Sequence, residues 1–166
     1  WRNTDNVMPH NAQDVARAAI SGRFSLVDHT GKSVSDADFR GEWLLVFFGY
    51  THCPDVCPTT LGTIAAVMDE LGEQAANVRP LFITVDPERD TPEVMADYAS
   101  AFHPKMVGLT GSVEQVRSAA KGYRVYFAKA GQDEFPGDYL MDHSAFVYLM
   151  NPQGKFEAVF SDQNSV

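Results

Sequence analysis

Trp43-Leu44-Leu45-Val46-Phe47-Phe48 is an almost unbroken apolar run, and a run without alternation suits a strand covered on both faces. Trp43–Tyr50 is far shorter than the roughly 18 apolar residues that cross a bilayer, so it reads as a buried central strand. Directly after it come Gly49-Tyr50-Thr51-His52-Cys53-Pro54-Asp55-Val56-Cys57-Pro58, a loop and helix entry. Leu61, Ile64, Ala65, Val67, Met68 and Leu71 then recur at helical spacing, with Gly72 as the stop. A strand hidden on both faces needs neighbours beside it and helices above and below, which restricts the chain to a layered α/β architecture.

The rest of the chain agrees with that restriction. Trp1 to Arg23 reads as a lead-in with a short helical stretch near Asp14–Ile20, and residues 24–166 as the domain proper. Phe24–Asp28 predicts a strand that runs into the turn His29-Thr30-Gly31-Lys32. Arg79–Asp86 predicts a second buried strand. Thr91 and Pro92 form the N-cap and first position of a helix that carries Val94, Met95, Tyr98, Ala99 and Phe102 and ends before Pro104. Met106–Leu109 predicts a strand, Ser112–Tyr123 a helix, Arg124–Lys129 a strand and Gly131–Asp138 a loop; Tyr123–Phe127 reads as core. Ser144–Met150 and Phe156–Phe160 close the pattern as strands joined by the turn Asn151-Pro152-Gln153-Gly154. Strands alternating with helices and a terminal hairpin imply a mixed sheet flanked by helices. A cysteine pair where the first long strand meets a helix is the thioredoxin arrangement, and in open α/β sheets sites gather at the carboxyl ends of the strands.

The balance of 13 basic against 22 acidic residues, a formal net charge of −9, argues against a nucleic-acid partner, because phosphate backbones are held by clustered Lys and Arg. Negative charge steers cations and basic surfaces towards the chain, although solubility alone explains it. The first residue is Trp1 and not Met, so a signal or anchor segment is expected to have preceded it.

Cys53 and Cys57 are the only cysteines. Two cysteines three residues apart cannot staple a 166-residue chain, and they point instead to metal binding or redox chemistry. At i and i+4 of a helix their Cβ atoms would lie about 5–6 Å apart, within reach of one metal ion or, after modest adjustment, of a disulfide. A helix N-terminus favours thiolate, the form that ligates metals and attacks disulfides. Dithiol oxidoreductases commonly carry two intervening residues where this chain carries three. His143, in Tyr139-Leu140-Met141-Asp142-His143-Ser144, is the best third ligand: it stands at the entrance of an apolar strand, in a loop expected to pack against the cysteine loop. Two thiolates and an imidazole suit Cu(I), or Cu(II) with an added ligand, and zinc would accept the same trio. His52 is expected to point away. Asp142 either orients His143 or is a solvated turn residue, Met141 either packs or offers a thioether to Cu(I), packing being the stronger reading, and Asp86 either faces the cysteine loop or caps the turn Pro87–Asp90. His10, His29 and His103 read as structurally unremarkable.

From Phe24 to about Phe160 the chain resembles the Sco/SenC copper proteins, which help assemble the copper A centre of cytochrome c oxidase. The resemblance rests on Phe48–Leu61, on Val85-Asp86-Pro87-Glu88-Arg89-Asp90-Thr91-Pro92, on Asp142-His143-Ser144-Ala145, and on Tyr148-Leu149 with Asn151-Pro152-Gln153-Gly154. It implies a thioredoxin fold, one copper ion held by Cys53, Cys57 and His143, and an N-terminal membrane tether. It also implies a location on the periplasmic face of a bacterial membrane or in the mitochondrial intermembrane space. The implied partner is the apo copper A subunit of cytochrome c oxidase or another copper chaperone. One departure is that family members usually continue past the last strand into a helix, whereas this sequence ends at Val166.

The leading functional expectation is therefore a copper metallochaperone. The alternative is a thiol–disulfide oxidoreductase that uses Cys53 and Cys57 to reduce a partner's copper-site cysteines. A copper sensor needs no turnover and uses the same residues. A peroxidase of the same fold is weaker, since no Arg lies near Cys53 in sequence.

Overall fold

The structure, a computed structural model, describes residues 20–51, 56–123, 127–130, 140–143 and 146–161. Among these, seven strands form one mixed sheet: β1 (Ser25–Asp28), β2 (Ser33–Ser35), β3 (Trp43–Gly49), β4 (Val78–Thr84), β5 (Val107–Thr110), β8 (Phe146–Met150) and β9 (Phe156–Ser161), in the order β2-β1-β5-β4-β3-β8-β9. A separate hairpin pairs β6 (Phe127–Ala130) with β7 (Leu140–His143). The helices are α1 (Val56–Leu71), α2 (Pro92–Phe102) and α3 (Val113–Gly122). The expected lead-in helix and the loop Gly131–Asp138 lie outside the described residues.

The apolar run sits where its composition requires. β3 pairs in parallel with β4, Phe47 opposite Phe82, and antiparallel with β8, Phe47 opposite Val147. Successive side chains of a strand point to opposite faces, so Phe47 and Phe48 anchor different layers. Phe47 stacks on Phe82 with ring centroids 6.1 Å apart, and Phe82 stacks on Tyr98 of α2 at 5.5 Å. Phe48 meets Tyr123, just past α3, edge-on at 5.3 Å, and Tyr123 meets Tyr148 at 5.3 Å. Phe47, Phe48, Phe82 and Tyr123 are fully buried. Each such aromatic contact adds about 0.5–1.5 kcal/mol beyond the area it buries.

Local chemistry fixes the element ends. The Thr91 hydroxyl accepts from the Val94 amide and Pro92 opens α2, as expected. Ser112 caps α3 in a reciprocal box with Gln115, each side chain accepting from the other's amide. α2 lies close on β5 because residue 108 is glycine: a Cβ there would fall 3.0 Å from that of Met95. In the β8–β9 turn Gly154 adopts φ +83°, and the Asn151 side chain accepts from the amides of Gln153 and Lys155.

The expectations differ from the structure at a few boundaries. β5 starts at Val107 rather than Met106, because the Met106 amide closes a turn onto the His103 carbonyl and Val107 is the residue in register with Leu81. β2 and β7 carry no alternation that would announce them. They exist through pairing with β1 and β6.

Two phenols buried in this core give checkable consequences. Burial raises the Tyr123 phenol well above its ordinary value and pushes Tyr148 up to about 12. In the unfolded chain both ionise near pH 10, so their contribution to stability is complete below about pH 10 and lost as pH rises through 12. Alkaline unfolding curves should show that loss, and Tyr148→Phe should shrink it. The Tyr123 hydroxyl has no hydrogen-bond partner among the described residues. Tyr123→Phe should therefore leave stability within about 1 kcal/mol of wild type or raise it, as denaturant titration would report.

Candidate metal centre at the carboxyl edge of the sheet

Because β3, β4 and β5 run parallel, Gly49, Thr84 and Thr110 end at one edge of the sheet. The chain leaves β3 there and re-enters α1 at Val56. Strand β8 runs the other way and starts beside the end of β3, so the residues that lead into Phe146 arrive at the same edge. Three extended residues span at most about 11 Å, which keeps the backbone of His143 within that distance of Phe146.

The predicted ligands are distributed as follows. Cys57 is the second residue of α1. His143 is the last residue of β7, opposite Phe127, whereas the sequence reading put it in a loop. The correction has a plain cause: Leu-Met-Asp-His has no strand periodicity, and only pairing with Phe127–Ala130 makes it extended. Asp142 and Met141 stand opposite Ala128 and Lys129. Cys53 and His52 lie outside the described residues, as does His10. Among the described residues no three His, Cys, Asp or Glu residues gather as a metal site.

What the described residues show at this edge is a buried polar network that sequence reasoning only partly anticipated. Asp86 and Asp90 are 1% and 0% exposed. Asp86 does cap its turn: its carbonyl accepts from the amides of Arg89 and Asp90, and its carboxylate accepts from Arg89 Nε. The Arg89 guanidinium also lies over the Tyr50 ring, 5.9 Å from its centre. An arginine absent from the neighbourhood of Cys53 in sequence is thus brought beside the strand end that leads to it. Asp90 accepts from the Thr51 amide at 3.0 Å, the Thr51 hydroxyl at 2.5 Å and the Thr84 hydroxyl at 2.7 Å, while its carbonyl accepts from the Thr110 hydroxyl at 2.7 Å. The signal in the sequence is a proline-flanked charged turn directly after an apolar strand that ends in threonine. His29 and His103, which read as unremarkable in sequence, each hold a backbone amide: His29 Nδ1 accepts from Gly108 N–H and His103 Nδ1 from Lys105 N–H.

A mixed sheet with helices on both faces, and a cysteine-bearing helix entry at the carboxyl end of its central parallel strand, define a thioredoxin-like protein. The SCO1/SenC family pattern matches residues 12–166, and the chain belongs to that family. It is 41% identical over 165 residues to the mitochondrial protein SCO1 homolog 1 of Arabidopsis thaliana, covering 99% of this chain and 49% of that relative. The chain spans about half the length of the curated relatives it matches. The crystal structure of Arabidopsis thaliana ScoI with copper bound superposes with a TM-score of 0.82 at 44% identity, covering 89% of this chain and 91% of that one. BsSco superposes with a TM-score of 0.68 at 25% identity, covering 86% and 82%, and is described as carrying a disulfide switch in a family of cytochrome c oxidase assembly proteins.

The Asp86–Arg89 pair is testable by itself. Truncating one member of a buried ion pair leaves a desolvated charge and typically costs about 3–5 kcal/mol. Arg89→Ala should lower unfolding stability by roughly that amount, with the discount due to a guanidinium that keeps some solvent contact. Arg79→Ala, at the half-exposed pair with Glu42, should cost about 1 kcal/mol or less by the same chemical-denaturation measurement.

Proposed function

We propose that this chain carries one copper ion as cargo on Cys53, Cys57 and His143 and delivers it during assembly of the copper A centre of cytochrome c oxidase. The observation that supports the reading is topological. Helix α1, which opens on Val56-Cys57, and the strand that ends on His143 both connect to the sheet at its carboxyl edge. Two sulfurs and an imidazole are soft donors that suit Cu(I) in three-coordination and leave room for a fourth ligand on Cu(II). An open edge site also allows an acceptor's ligands to replace these one at a time. The acceptor in this reading is the apo copper A subunit or another copper chaperone. The site faces the periplasm or the mitochondrial intermembrane space, and a segment outside the sequence tethers the protein to the membrane. The domain that does this is residues 24–166, with residues 1–23 as the lead-in.

A second reading, thiol–disulfide exchange by Cys53 and Cys57, draws support from the disulfide switch described for BsSco. Both activities use the same sulfurs, and a dithiol that can be oxidised to a disulfide would release its metal on oxidation.

Copper titration of the reduced protein separates the two. One equivalent should bind, and Cu(II) loading should produce a strong thiolate-to-metal charge-transfer band. His143→Ala should weaken copper binding by at least tenfold, the loss expected for one ligand of three, yet leave disulfide exchange intact. Cys53→Ser should abolish both. Ligation requires that two thiols shed their protons, so the measured affinity should fall as pH is lowered. Undiminished copper affinity in His143→Ala would overturn the three-ligand reading.

A further inference from the structure

Asp90 has no place in the proposed ligand set, yet it is a fully buried charge whose carboxylate accepts from three donors. It sits in the turn after β4 with no exposed surface. One carboxylate oxygen takes the Thr51 amide and the Thr84 hydroxyl, and the other takes the Thr51 hydroxyl. Its carbonyl takes the hydroxyl of Thr110. The continuations of three parallel strands are therefore tied to one residue: Thr51 after β3, Thr84 at the end of β4 and Thr110 at the end of β5. Thr51 is two residues before Cys53 in the chain.

We infer that Asp90 is a positioning residue for the cysteine loop: by clamping Thr51 to the ends of β4 and β5, its carboxylate fixes the point from which the chain departs towards Cys53, and copper affinity depends on that clamp although Asp90 ligates nothing. The inference rests on the proposed role of Cys53 as a ligand. A chelate of three donors from separated segments binds tightly only when their backbone is already ordered, because ordering the loop at the moment of binding subtracts from affinity. Hydrogen bonds to a buried carboxylate are about twice as strong as neutral ones and are well suited to hold such a loop in advance. β3 ends at Gly49, whose carbonyl accepts from the Val85 amide, and Asp90 holds the chain two residues further on, at Thr51.

The chemistry of the clamp separates its geometry from its charge. In Asp90→Asn the amide oxygen can still face the Thr51 amide and the Thr84 hydroxyl, while the new NH2 group donates to the Thr51 hydroxyl. That variant keeps the clamp and loses the charge. Asp90→Ala removes the clamp. Thr51→Val removes the hydroxyl bond to Asp90 and keeps the amide bond, and Thr51→Ser retains both.

Copper affinity of each reduced variant is measured by competition with a Cu(I) chelator. The Cu(II) charge-transfer band and the rate of thiol alkylation by iodoacetamide in the metal-free protein are recorded beside it, and thermal unfolding confirms the fold. Asp90→Ala should lose about tenfold or more in affinity, shift the band and change the alkylation rate. Thr51→Val should move all three in the same direction by a smaller factor, and Thr51→Ser and Asp90→Asn should stay within about threefold of wild type. The inference is overturned if folded Asp90→Ala and Thr51→Val match wild type in all three. It is equally overturned if Asp90→Asn loses as much as Asp90→Ala while Thr51→Val loses nothing, since charge and not position would then be at work. Should Asp90→Ala not fold, the Thr51 pair decides. Should wild-type protein take up no copper, the copper reading fails, and the clamp is judged on the alkylation rates alone.

Discussion

Burial of β3 on both faces governs the rest of the molecule. A seven-residue strand with Val46, Phe47 and Phe48 fully shielded requires hydrogen-bonded neighbours on both sides and a layer above and below. The parallel neighbour, β4, can be reached only by a crossover, and α1 is that crossover. Its entry therefore lies at the carboxyl edge of β3. The antiparallel neighbour, β8, needs no crossover, and its first residue returns to the same edge. That the helix bearing Cys57 and the chain leading from His143 into β8 both join the sheet at this edge is thus a consequence of how one apolar strand is covered.

That edge is also where the structure concentrates buried charge. Removing Asp86 and Asp90 from water is costly unless each carboxylate is fully engaged. Asp86 is engaged by Arg89, whose guanidinium extends over Tyr50, and Asp90 by two threonines and a backbone amide. The turn from Asp86 to Asp90 is closed by the Asp86 carbonyl, and Pro87 stiffens it. Such a network contributes little net stability compared with apolar packing of the same volume. What it supplies is a fixed geometry at the carboxyl edge of the sheet.

The copper reading and the network fit one physical picture. A cargo site has to be ordered enough to bind and open enough to release, so rigidity belongs in the residues behind the ligands. Thr51 occupies that position two residues before Cys53, and Asp90 holds Thr51 from the turn after β4. The net charge of −9 adds a long-range attraction for cations that is independent of this geometry.

Much of this was readable in the sequence, for identifiable reasons. The unbroken run Trp43–Phe48, the helical spacing from Leu61 to Leu71 and the cap at Thr91-Pro92 are local patterns, and local patterns determine local structure. The cysteine pair and His143 stand out by residue chemistry alone, and their joint ligation of a metal is the proposal made above. The strand character of Leu140–His143 was not legible, because it exists only through pairing with Phe127–Ala130 across a long separation. Nor was the bond between Asp90 and Thr51, which lie 39 residues apart in the chain. By itself the sequence determined which segments are strands and helices and which residues carry soft donor atoms. Tertiary structure alone decided which strand ends meet at one edge and which carboxylate holds them there, because hydrogen bonds between distant segments are written in no periodicity and form only when the sheet brings their partners together.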